Sequence, residues 1–103
     1  MKRAEVLAWL ESRRPEPPAE LARHLAGCVR DGGRPEPLPG HLAGIGCELL
    51  RRVAGNPGGG RELALDLLAA DAFVTYAFEA QADADPAGLA TLAGRVEREV
   101  SAA

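Results

Sequence analysis

Residues 61–81 read RELALDLLAADAFVTYAFEAQ, an unbroken run without proline or glycine that decides the fold class. Apolar side chains recur in it at helical spacing on two sides. A helix with two apolar faces contacts neighbours on both, so we expect the central element of a bundle, or a bundle element that is also a dimer seam. The broader face comprises Leu63, Leu67, Ala70, Val74, Ala77 and Phe78, and the narrower one Leu65, Ala72 and Tyr76.

Two polar lines separate these faces, and we expect the second of them to be solvated helix surface. Phe73 falls on the side of the first line, between its two charges. An exposed aromatic ring there indicates an interaction surface, whereas a third packing neighbour would bury it; we favour the interaction surface. The first line is Glu62 and Asp66, and the second is Asp71, Thr75 and Glu79, each at i, i+4 spacing.

Proline and glycine divide the remaining chain into four further helices, which makes the predicted fold all-α. Their expected bounds are about 2–13, 18–30, 41–53 and 85–101, besides the long central helix at about 61–81. Gly44 and Gly46 weaken the helix that contains them, so we expect them to admit a close neighbour. The prediction is a small helical bundle of four main helices plus an N-terminal helix, forming one domain over residues 1–103.

The scarcity of hydroxyl side chains restricts the function classes. The 103 residues include two Ser and two Thr, which argues against a β-sandwich, and Ser12 and Ser101 lie too far apart along the chain to favour a hydroxyl-based triad. A net charge of −3 and a pI near 5.3 do not favour nucleic acid as a partner. No apolar run is long enough for a membrane span and no targeting signal is recognisable, so we expect a cytoplasmic protein.

Charge is distributed unevenly along the chain. Residues 1–61 contain ten basic and seven acidic side chains, whereas residues 62–103 contain two basic and eight acidic ones. We expect the two halves to pack against each other as complementary surfaces. The alternative is an acidic C-terminal face that binds a basic partner or supports head-to-tail self-association.

The two His and two Cys suggest a metal site, although no complete ligand set is visible. His24 and Cys28 share a helical face at i, i+4, whereas His41 and Cys47 lie about 240° apart around one helix. We expect Cys28 and Cys47 to be reduced and buried rather than joined in a disulfide. The sequence assigns no metal ligand, no cofactor and no catalytic residue.

Residues 55–62 imitate a phosphate-binding loop without its chemistry. The spacing Gly55-x4-Gly60 matches such a loop, but Arg61 and Glu62 stand where the Lys and the magnesium-binding hydroxyl are required. We interpret the segment as a flexible connection between two helices.

The aromatic residues provide the strongest indication of function. Three of the four lie within six residues of the long helix. We expect a non-catalytic protein-interaction or adaptor module that acts through a helical surface, binds a protein partner and forms a homodimer. The alternative is a small regulatory metal- or redox-responsive protein using His24 and Cys28 with His41 or Cys47. The partner-interface candidates are Trp9, Phe73, Tyr76 and Phe78.

Overall fold

The computed structural model of the chain describes residues 2–31 and 36–102 and shows the expected all-α bundle. The predicted glycine stop at Gly32-Gly33 lies outside the described residues. None of the described helices is both long and apolar enough to cross a bilayer. The helices are α1 (Arg3–Glu11), α2 (Ala19–Cys28), α3 (Leu38–Ala54), α4 (Arg61–Ala84) and α5 (Leu89–Ser101), and a 3-10 turn (Pro86–Gly88) precedes α5.

The antiparallel pair of α3 and α4 forms the scaffold, and α2 and α5 also pack against α4. Gly46 brings the two scaffold helices close together, because a Cβ there would lie 2.8 Å from Cγ2 of Val74 and 3.2 Å from the carbonyl oxygen of Ala70. The expected close approach is confirmed at Gly46. At Gly44 an added Cβ would meet nothing nearer than 3.8 Å.

The buried face of α4 differs from the predicted one. Its fully or almost fully buried positions are mostly alanines around Phe73, whereas Leu67 of the predicted broad face is half exposed. Small side chains allow α3 to approach the backbone of α4, so the contact follows the alanines and leaves the leucines at its edges. The buried residues of α4 are Asp66, Ala69, Ala70, Phe73, Ala77 and Ala80.

Helix α1 is attached to α4 by aromatic and charged contacts. The rings of Trp9 and Tyr76 meet edge to face with centroids 5.8 Å apart. The guanidinium of Arg13 lies 4.1 Å from the centre of a Trp9 ring and also approaches Glu79 at 3.7 Å and Asp83 at 3.9 Å. This contact joins the basic N-terminal half to the acidic C-terminal half, as the uneven charge distribution suggests.

Helix α2 ends at Cys28, three residues before the position that the glycines indicate. Arg3 explains the early end, since its guanidinium donates hydrogen bonds to the carbonyl oxygens of Val29 at 3.0 Å and Ala26 at 3.2 Å. The carbonyl of Ala26 also accepts a hydrogen bond from the amide of Val29, and the cation of Arg3 further stabilises this helix end. The chain then leaves the helix in an extended conformation that buries Val29 in the core.

The helical segment begins where the sequence indicates, but its first three residues form the 3-10 turn and α5 itself begins at Leu89. The Asp85 carboxylate accepts a hydrogen bond from the amide of Ala87 at 3.2 Å, and Pro86 occupies the first position of the 3-10 turn. Leu92 is buried against the scaffold. Arg95 connects α5 to the segment before α3, because its guanidinium pairs with Glu36 and, at 3.3 Å, with Glu99.

Candidate functional site

A buried imidazole–carboxylate pair joins α2 to α4. Nε2 of His24 lies 2.7 Å from Oδ1 of Asp66, whose side chain is 2 % exposed. Helical spacing groups Asp66 in a polar line with Glu62, but its side chain is buried. Asp66 lies where α2 packs against α4, and it meets His24, which the sequence singled out.

Cys28 completes a compact group of three different donor atoms. It lies one helical turn after His24, and one ligand atom from each of His24, Cys28 and Asp66 lies within 4.8 Å of the others. Nη1 of Arg52, from α3, is 3.6 Å from Oδ2 of Asp66. The group therefore combines nitrogen, sulfur and oxygen donors with a guanidinium at its edge, and three helices contribute to it.

The thiol of Cys28 is not set up as a nucleophile. Burial raises its pKa, the nearby carboxylate of Asp66 raises it further, and Arg52 and Arg30 oppose this in part. Reactive cysteines require the opposite shift, because the thiolate is the attacking species. In the chain by itself the thiol is protonated at neutral pH.

The group opens into a polar cavity of about 630 Å³ between α2, α3 and the start of α4. His41 lines the same cavity, and its buried Nε2 has no hydrogen-bond partner within the described residues. Cys47 does not line it. Of the two alternatives that the sequence left open, His41 therefore shares a cavity with His24 and Cys28, whereas Cys47 does not.

Cys47 has a separate environment between α3 and α5. Burial raises its pKa to about 11, and the neighbouring Glu99 carboxylate adds to the shift. Oε2 of Glu99 is buried and has no hydrogen-bond partner of normal geometry in the described chain. Both cysteines are free thiols, with Cys47 buried and Cys28 partly exposed.

The aromatic residues are not gathered on one surface. Phe73 is fully buried in the core, so the expectation that it contributes to an exposed interface is wrong. The third packing neighbour is present, because α4 contacts α2 and α5 in addition to α3. Trp9, Tyr76 and Phe78 are partly buried and pack at the edge of the core.

The largest exposed apolar side chains lie elsewhere on α4. Leu67 is 50 % exposed and Leu68 is 54 % exposed, and these two neighbours face solvent beside the exposed Ala64 and Asp71. Val100 of α5 is the third large apolar residue with high exposure, at 42 %. The sequence periodicity placed Leu67 in the broader apolar face, whereas it placed Leu68 in neither apolar face.

Asp66 is the functional candidate that sequence reasoning missed. The signal that could have identified it is the surrounding sequence, because Asp66 is the one charged residue in the otherwise apolar run from Leu63 to Ala70. Helical spacing grouped it with Glu62 instead, because the partner that buries it belongs to another helix. The chain matches no protein-family model, and comparisons with curated proteins and with solved structures find no match.

Proposed function

We propose that the protein is a non-catalytic, cytoplasmic interaction module that forms a homodimer through the exposed face of α4. The observation that carries this proposal is the adjacent pair Leu67 and Leu68, each about half exposed on the longest helix. Together they form a small apolar patch on the outside of the helix, and a partner surface that covers it removes apolar area from water. Two free cysteines are consistent with the reducing interior of a cell.

A second copy of the chain is the occupant that this face fits best. Suppose that two α4 helices pack antiparallel and that the midpoint of their contact lies between Leu67 and Leu68. Asp71 of one copy is then opposite Ala64 of the other copy. It is also one helical turn from the partner's Arg61. The like charges are then separated and opposite charges approach. The small side chain of Ala64 also permits a close contact between the helices.

The free energy available from these leucines sets the strength of the dimer. Completing the burial of each half-exposed leucine contributes about 1 kcal/mol, and a symmetric dimer buries four of them. Association costs at least about 4 kcal/mol in lost translational and rotational freedom. The leucines alone therefore only offset the cost of association, and a weak dimer at high micromolar protein concentration requires about 5 kcal/mol more from neighbouring contacts along α4.

The proposal of a non-catalytic role rests on the chemistry of the cysteine–histidine pair. His24 and Cys28 are neighbours, but the raised pKa of the Cys28 thiol opposes nucleophilic attack. The His24 ring is engaged with Asp66, which ties two helices together. The remaining partner-interface candidates, Trp9, Tyr76 and Phe78, offer their exposed edges to a protein partner of the dimer.

Light scattering on concentrated protein tests the dimer. The wild-type chain should approach twice the monomer mass of 10.8 kDa, and the double variant Leu67→Glu/Leu68→Glu should remain at the monomer mass. Val100→Glu is the matched control, because it places the same charge at an exposed apolar position on α5 and should leave the dimer intact. A wild-type monomer, or a double variant that still dimerises, contradicts the proposal.

A further inference from the structure

We propose that His24, Cys28 and Asp66 bind a transition-metal ion of the zinc class, which cross-links α2 to α4. This site goes beyond the proposed dimer and is independent of it, since its residues lie between helices of a single chain. The proposal rests on three donor atoms of the types that zinc prefers, drawn from two helices and brought within 4.8 Å of one another.

The present separations suit a tetrahedral ion after small adjustments. Ligands at normal zinc distances lie roughly 3.4 Å apart around the tetrahedron. Nε2 of His24 and Oδ1 of Asp66 are now 2.7 Å apart and would separate by less than an ångström. Cys28, one turn along the same helix, would approach them by rotation of its side chain.

The surrounding charges permit a divalent ion. Asp66 and the Cys28 thiolate supply two negative charges, and the thiol proton passes to solvent when the metal binds. Arg52 approaches the other carboxylate oxygen, Oδ2, at 3.6 Å, so Oδ1 is the oxygen that would face the metal. The metal would replace the hydrogen bond between Oδ1 and Nε2 of His24, and the proton of that bond would move to Nδ1 of the ring or to solvent. A guanidinium that holds the second oxygen of a ligating carboxylate orients that ligand. The Arg52 side chain is 49 % exposed, so its positive charge can move away from the ion.

The fourth coordination position faces the polar cavity. His24, Cys28 and Asp66 all line this cavity, as does His41 with its unpartnered Nε2. A water molecule from the cavity completes the tetrahedron, as it does at zinc sites with three protein ligands. The site thus has an entry path for the ion, which a fully enclosed ion pair would lack.

The donor set also selects the class of ion. Thiolate and imidazole favour zinc, cobalt and related transition metals, whereas magnesium and calcium require a shell of oxygen ligands. A single carboxylate beside a sulfur donor therefore gives little affinity for the alkaline-earth ions. The competing explanation is a purely structural His24–Asp66 pair, for which Cys28 is only a neighbouring side chain.

A cobalt titration separates these explanations, because sulfur ligation to Co²⁺ produces a charge-transfer absorption band. The wild-type protein should bind one equivalent of Co²⁺ with this band, and Zn²⁺ should displace it. Cys28→Ser removes the sulfur donor and leaves the His24–Asp66 pair in place, so it should lose the band and bind at least about 100-fold more weakly. Cys47→Ser is the matched control and should behave like the wild type.

Thermal unfolding gives a second readout. Saturating Zn²⁺ should raise the unfolding midpoint of the wild type and of Cys47→Ser, and should not raise that of Cys28→Ser or Cys28→Ala. Far-ultraviolet circular dichroism confirms that both Cys28 variants are folded before the comparison. The proposal is overturned if the wild type fails to bind Co²⁺ or if the Cys28 variants bind it with wild-type affinity. Mg²⁺ should have no effect on any of the variants.

Discussion

Gly46 shows how a single residue sets the distance between two helices. A Cβ at this position meets Val74 and the backbone of Ala70 at distances that real side chains avoid, so the scaffold helices must separate to accept one. We expect Gly46→Ala to lower the free energy of unfolding by about 1–2 kcal/mol, because overpacking exceeds the gain of about 1 kcal/mol in helix propensity. Urea unfolding of the two proteins measures the difference.

Gly27 supplies the control for that substitution. It lies within α2, and an added Cβ would meet nothing within 4 Å. Gly27→Ala should therefore raise the free energy of unfolding by up to about 1 kcal/mol, through helix propensity alone. Equal effects of the two substitutions would show that the α3–α4 contact is looser than described.

The two cysteines should differ in their reactivity towards alkylating reagents, because they differ in exposure. Cys47 is 1 % exposed and has a pKa of about 11, so in the folded protein at pH 8 its thiolate is both scarce and inaccessible. Cys28 is partly exposed, and we expect it to react with iodoacetamide in the presence of a chelator while Cys47 reacts only after unfolding. Peptide mass spectrometry identifies the modified residue. Labelling of Cys47 in the native state would contradict its burial.

At the scale of the helix, the sequence predicts existence and order better than it predicts faces. Proline and glycine punctuate this chain so clearly that all five helices were expected, and the Asp85–Pro86 start was expected with them. The buried side of α4 was expected only in part, because periodicity weights leucine over alanine: Ala70 and Ala77 belong to the predicted broad face, whereas the buried Ala69 and Ala80 belong to neither face. Asp66 was missed for a related reason, since its burial depends on the packing of α2.

The attachment of α5 depends on pH through Glu99. Burial by itself raises the pKa of this carboxyl group, but Cys47 and Arg95 outweigh it, and the pKa lies below its ordinary value. A group whose pKa is lower in the folded state contributes stability above its unfolded pKa, and this contribution is lost as the pH falls through the folded value.

Glu99→Gln tests this contribution. The substitution should lower the free energy of unfolding by about 0.5–1 kcal/mol at pH 7, and the difference from the wild type should shrink as the pH falls below about 4.5. Glu97→Gln, at an exposed position of the same helix, is the control for the loss of a negative charge. If the free energy of unfolding of Glu99→Gln differs from that of the wild type by the same amount at pH 7 and at pH 3, the lowered pKa of Glu99 is contradicted.

The whole molecule combines a closely packed scaffold with two features whose proposed roles go beyond its internal packing. One is the three-donor group between α2 and α4, and the other is the exposed leucine pair on the outer side of α4. They lie on the same helix within three residues of each other, since Asp66 is directly followed by Leu67 and Leu68. A metal ion that fixes α2 against α4 would therefore hold the helix from which the dimer is built.

Distances between spin labels in the dimer test the central claim most directly. Labels on Thr75→Cys and on Ala82→Cys, each in a Cys28→Ser background, report on two exposed positions of α4 while buried Cys47 stays unlabelled. An antiparallel contact centred between Leu67 and Leu68 predicts roughly 25 Å between the labels at position 75 and roughly 45 Å at position 82. The absence of dipolar coupling at both positions, or equal distances at the two, would contradict the account.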